Sequence, residues 1–136
     1  MEPERLAALP LYADLDDAAR AEVAACTREV RIDAGATVAT QGDNAYEFFV
    51  IESGDAEVRR DGEAIAAVGP GEVVGEIGLL VTGTRTASIV ASTDMTLVAM
   101  FSREFRTLAR MHPAIADRVR ATMRERVAQT GYRSRR

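Results

Sequence analysis

A chain of 136 residues is long enough to bury a genuine core and fits one domain. Its 47% apolar and 28% charged residues are the balance of an ordinary globular protein, and no window reaches the 18 or more consecutive apolar residues of a membrane span. The net charge of −4 hides an asymmetry: residues 1–117 hold 10 Arg against 20 acids (−10), whereas 118–136 hold 7 Arg against Glu125 alone (+6). Such a basic end suits an acidic partner or nucleic acid, or is simply a solvated helix face. The opening Met1-Glu2-Pro3-Glu4-Arg5 lacks the apolar stretch of a secretory signal. The lone Cys26 rules out an internal disulfide, and a reducing cytoplasm is expected.

The first zone, residues 1–28, reads as an N-terminal helical segment. Leu6, Leu9, Leu11 and Leu15 make an apolar lead-in, and Asp16 is placed to cap a helix. Ala18, Ala19, Val23 and Ala24 then recur at helical spacing. Cys26 falls at the end of this helix as a small hydrophobe.

Residues 29–101 read as short strands divided by glycines at 35, 42, 54, 62, 69, 71, 75, 78 and 83. The β-favouring runs are 30–32, 37–40, 48–51, 56–59, 64–68, 86–91 and 95–101. Asp61-Gly62 is a two-residue hairpin signal, because the tight turn needs positive φ. Regular short strands with glycine turns predict an antiparallel sandwich or barrel rather than an α/β sheet.

From Ser102 the pattern is helical again. Ser102 is placed as an N-cap, with Phe105, Leu108 and Ala109 on one face. Pro113 suits the first turn of a last helix, which carries the stripe Ile115, Val119, Met123 and Val127 and stops near Gly131. The fold predicted from the pattern is mainly β with flanking α: an antiparallel sandwich or barrel with an N-terminal helix and two C-terminal helices, as a single domain.

Chemistry concentrates in residues 74–89. Gly75 and Gly78 would let a ligand approach the backbone closely, and a helical turn starting near Glu76 would offer amides to an anion. Arg85, nine residues on, has the planar fork that suits a phosphate. A carboxylate beside a phosphate needs its own donor, and a ribose hydroxyl supplies one. Spacing alone leaves open a simple turn with a surface arginine.

The segment Gly75-Glu76-Ile77-Gly78-Leu79-Leu80 followed by Arg85-Thr86-Ala87-Ser88-Ile89 resembles the phosphate-binding cassette of the cyclic-nucleotide-binding domain family. Catabolite-activator-type regulators, kinase regulatory subunits and gated channels share that family. The resemblance extends to Leu9-Pro10-Leu11-Tyr12, Gly35, Gly42-Asp43 and Ile51-Glu52-Ser53-Gly54, and so spans about residues 6–128. It implies a jelly-roll sensor for cAMP or cGMP with no catalytic residues, no metal and no cofactor beyond the ligand. The implied ligand-binding set is Gly75, Glu76, Ile77, Gly78, Arg85, Thr86 and Ala87. Glu76 would accept from the ribose 2′-hydroxyl and Arg85 would bind the cyclic phosphate, with amides near Gly78 and Thr86 also donating. Gly75 and Ile77 would line the ribose. Two departures are Thr84, where many members carry proline, and Val74, where phenylalanine is frequent. Thr86 resembles members that accept cGMP, but cAMP is the expected ligand.

In that family the last helix closes over the base, so the 113–130 region is expected to act as a lid, with Met123 and Arg124 as capping candidates. Removing residues 114–136 should then weaken binding without unfolding the barrel. The expected partners are an effector protein or a second copy through the C-terminal helix. DNA binding is not expected, since no helix-turn-helix follows. A cupin-like metalloenzyme, the competing class, needs several histidines, and His112 is the only one. The remaining alternative is a fragment of a regulator of the Crp/Fnr type or another multidomain effector, or a cassette-bearing interaction module without a ligand.

Overall fold

The computed structural model describes residues 1–75 and 83–130, except for the side chains of Met123 and residues 126–130. Three short helices, α1 (Pro3–Ala7), α2 (Pro10–Ala13) and α3 (Asp17–Ala24), precede eight strands. These are β1 (Arg28–Ile32), β2 (Thr37–Ala39), β3 (Glu47–Ser53), β4 (Ala56–Arg60), β5 (Glu63–Val68), β6 (Val73–Val74), β7 (Ser88–Ala91) and β8 (Met95–Phe101). Helices α4 (Ser102–Met111) and α5 (Pro113–Thr130) follow.

The strands form two antiparallel four-stranded sheets, ordered β1-β8-β3-β6 and β2-β7-β4-β5. This alternation of strands between two sheets is the double-sheet jelly roll. The two sheets are not closed into one, and the antiparallel jelly roll is the architecture expected.

Burial explains which strands read as continuous apolar runs. In β3, Phe48 and Val50 face a core shared with the helices, whereas Phe49 and Ile51 face the second sheet. Val98 and Met100 of β8 likewise join the helical core, and Leu97 and Ala99 the inter-sheet core. A strand buried on both faces has no polar side, so its two-residue period vanishes. β4 keeps the alternation, with Ala56 and Val58 buried and Glu57 only partly so, because its outer face meets solvent.

The N-terminal helix is divided in three, with Pro10 at the first position of α2. The Asp16 cap holds: its Oδ1 accepts from the Ala19 amide at 2.8 Å. Leu6, Leu9, Leu11 and Leu15 all join the helical core, while Ala18 is exposed and contributes nothing to it. Cys26 lies just beyond α3, half-buried against that core. Ser102 is the first helical residue of α4 and not its cap; the preceding Phe101 amide donates to Glu104 Oε1 at 3.3 Å. Phe105 on α4 meets Phe48 edge to face, with centroids 6.1 Å apart.

Asp61 (φ 54°) and Gly62 (φ 82°) both adopt left-handed backbone in the β4–β5 hairpin, as that turn requires. β6 was missed in the sequence. It is two residues long, too short for any periodicity to show.

Candidate functional site

β6 delivers the chain to the site. Val74 pairs with Phe49 across the β3–β6 ladder, so Gly75 emerges beside the backbone of Glu47 and Phe48. Gly75 has φ +87°, and a Cβ there would lie 2.5 Å from Arg85 Nη1. Only glycine allows both the backbone turn and the approach of the guanidinium.

Arg85 is only 9% exposed. Its Nη1 donates to the Gly75 carbonyl at 3.5 Å, the long limit of a hydrogen bond. Its guanidinium carbon stands 5.6 Å from the centre of the Phe49 ring, within range of a cation–π attraction. Burying a guanidinium is costly unless partners compensate it, and the Gly75 carbonyl and the Phe49 ring are part of that compensation.

The main chain around Arg85 is pinned by the β2–β3 turn. Arg85 donates its amide to the Asp43 carbonyl at 2.7 Å, and its carbonyl accepts from the Gly42 amide at 2.9 Å. Asn44 and Thr84 form an isolated bridge, and the Ala45 amide donates to Gly83 at 3.0 Å. Below them, the Gln41 amide donates to Ser88 Oγ at 2.9 Å. From the other side, Arg60 Nε at the end of β4 donates to the Thr86 carbonyl at 3.2 Å.

The structure therefore brings Gly75, Arg85, Thr86 and Ala87 together. Thr86 is half-buried, and the Ala87 methyl packs in the inter-sheet core. The predicted contacts Glu76, Ile77 and Gly78 lie outside the described residues. Of the lid candidates, Arg124 is exposed on α5, and the Met123 side chain lies outside the described set. Phe49, Gln41 and Arg60 had not been singled out. Phe49 is hidden in an unbroken apolar run, and Gln41 and Arg60 act across strand pairs that sequence spacing cannot reveal.

The start of α5 bears on its expected role. Ala116 and Val119 are fully buried in the helical core, with Ile115 packed against it. Arg118 Nη2 donates to the Asp14 carbonyl at 3.1 Å, and Arg120 lies over the Phe105 ring at 5.0 Å. The first two turns are thus part of the core. Cutting from residue 114 would remove Ala116 and Val119 from the helical core.

No helix among the described residues is long and apolar enough to cross a membrane. The family model for the cyclic nucleotide-binding domain matches residues 29–112, more than half of the chain. A cAMP-dependent protein kinase regulatory subunit of Yarrowia lipolytica is 33% identical over 72% of this chain and 26% of its own length. A cyclic nucleotide-gated potassium channel of Rhizobium etli is 30% identical over 89% of this chain and 34% of its own. The chain thus spans about a quarter to a third of these curated relatives. Among solved structures, the N-terminal domain of a Streptomyces coelicolor transcriptional regulator superposes with a TM-score of 0.75 at 31% identity, covering 93% of this chain and 92% of that one. A chain from Geobacter metallireducens shares the fold at 19% identity, with a TM-score of 0.87 over 97% of this chain and 99% of its own. With the jelly-roll topology and the Gly75–Arg85 geometry in place, the chain belongs to the cyclic nucleotide-binding domain family, whose role in these relatives is regulatory.

Proposed function

We propose that this chain senses a 3′,5′-cyclic nucleotide, with cAMP preferred over cGMP, and leaves it chemically unchanged. The observation that carries the reading is the buried Arg85 guanidinium, held over Phe49 and against the Gly75 carbonyl on a doubly pinned main chain. A cyclic phosphate would exchange that long carbonyl bond for shorter charge-assisted ones. Glu76 would take the ribose 2′-hydroxyl, Ile77 and Gly78 would border the sugar and phosphate, and Thr86 and Ala87 would present their backbone.

The signal would pass through the part of α5 beyond Val119, since Ala116 and Val119 are anchored in the core. Met123 and Arg124 lie in that outer part and could cap the base. The receiving partner would be an effector protein or a second copy of the chain, and the place of action the cytoplasm.

Calorimetric titration with cAMP and with cGMP tests this reading. A dissociation constant between about 10 nM and 10 μM is expected, with linear AMP far weaker. The nucleotide should be recovered intact. No heat and no thermal shift with either ligand at millimolar concentration would overturn the reading in favour of an interaction module without a ligand.

A further inference from the structure

Outside the contacts implied by the family motif, the side chain of Arg60 is tied directly to the cassette backbone. We infer that Arg60 is a positioning residue of the phosphate site, acting through the peptide between Thr86 and Ala87; this rests on the cyclic-nucleotide reading above.

Arg60 Nε donates to the Thr86 carbonyl at 3.2 Å. The described chain contains no cis peptide bond, so the N–H of Ala87 points opposite to the Thr86 carbonyl. Gripping the carbonyl from β4 therefore turns the Ala87 amide away from β4. Ala87 is only 3% exposed, yet its amide makes no hydrogen bond with any described residue. Buried amides are almost always paired, so a donor left in this state beside Arg85 is one a ligand oxygen can use. The neighbouring peptide is set in the same manner: Gly42 holds the Arg85 carbonyl at 2.9 Å, which fixes the direction of the Thr86 amide.

Arg60 is itself held in place. The adjacent Asp61 is joined to Gln41 by two bonds, Gln41 Nε2 to Asp61 Oδ1 at 2.9 Å and the Asp61 amide to Gln41 Oε1 at 2.8 Å. Gln41 in turn donates its amide to Ser88 Oγ, one residue past Ala87. The β4–β5 hairpin is thus fastened to the cassette strand at 88, and Arg60 reaches the cassette from a fixed base. The site gains a donor aimed by a residue that need not touch the ligand.

The test compares the parent with Arg60→Ala, Arg60→Gln and Arg60→Lys in two measurements. One is cAMP affinity by calorimetry; the other is ¹⁵N relaxation of the Ala87 amide without ligand. Arg60→Ala should weaken binding about three- to tenfold, the effect of one ordinary hydrogen bond. Its Ala87 order parameter should fall from about 0.85 toward 0.6 or below. Arg60→Gln, which keeps a neutral N–H donor, should restore most of both, and it remains the test if Arg60→Ala does not fold. An unchanged Ala87 order parameter in Arg60→Ala overturns the inference. So does recovery of affinity by Lys but not by Gln, which would make Arg60 a charge and not a positioner. Absence of binding in the parent would instead overturn the cyclic-nucleotide reading, while the relaxation data still judge the positioning alone.

Discussion

Gly75→Ala separates two demands the fold makes on one residue. Gly75 and Gly35 share φ +87°, but a Cβ at Gly35 meets nothing within 4 Å, whereas at Gly75 it would lie 2.5 Å from Arg85 Nη1. Forcing alanine into left-handed backbone costs about 1–2 kcal/mol at either position. Both variants should therefore melt about 3–10 °C below the parent. Only Gly75→Ala must also move Arg85. The obstructing atom is the tip of a flexible side chain, so the guanidinium swings aside at little further cost in stability.

The cost should appear in binding. Charge-assisted hydrogen bonds contribute about 1.5–3 kcal/mol, so displacing the guanidinium should weaken cyclic-nucleotide affinity by roughly ten- to a hundredfold. Gly35→Ala should bind within about twofold of the parent, in keeping with additivity for distant sites. Thermal melts and calorimetric titration of the two variants decide the matter. Equal affinities in Gly75→Ala and Gly35→Ala would refute the claim that Gly75 exists to seat Arg85.

Three further outcomes follow from the packing and the charges. Phe48→Ala, which empties a fully buried site against Phe105, should cost about 3–5 kcal/mol in urea denaturation. The Tyr12 hydroxyl is buried without a partner among the described residues, so Tyr12→Phe should gain about 1 kcal/mol or more by removing an unsatisfied group. Burial also raises the Tyr12 ionisation above its ordinary value of about 10, so the stability tied to it is whole below pH 10 and lost above as the unfolded chain ionises first. Tyr12→Phe should flatten that alkaline decline. At the acid end, hydrogen bonds from Arg31 and Arg5 hold the Glu29 carboxyl below its usual range. Its contribution is present above the ordinary glutamate range and lost as pH falls through the lowered value, so acid melts of Glu29→Gln should show a shallower fall.

How much of this was legible in the sequence depended on how local each determinant was. The Asp61-Gly62 turn, the Asp16 cap and the span of β8 rest on neighbouring residues, and the structure places them where the sequence does. The antiparallel sandwich or barrel followed from the same turn chemistry repeated along the chain, and the jelly roll from the family resemblance. Ala18 was misread because a helical period shows which residues share a face and not which of them the core reaches. β7 begins at Ser88 and not Thr86 because residues 83–85 bond to the β2–β3 turn, about 40 residues away along the chain, and the Thr86 carbonyl is taken by Arg60.

The site divides along the same line. Glycine at 75 and arginine at 85 could be identified by type, because backbone freedom and phosphate recognition each demand one kind of residue. Their support could not. Phe49 serves Arg85 only because β6 pairs with β3 in the register that sets Val74 against Phe49. Gln41 reaches the cassette from the β2–β3 turn and Arg60 from the β4–β5 hairpin. A motif thus records the atoms that meet the ligand, while the precision of the site is written in pairings between strands. Substitutions at Gln41 or Arg60 would leave the motif intact and still change how the pocket binds.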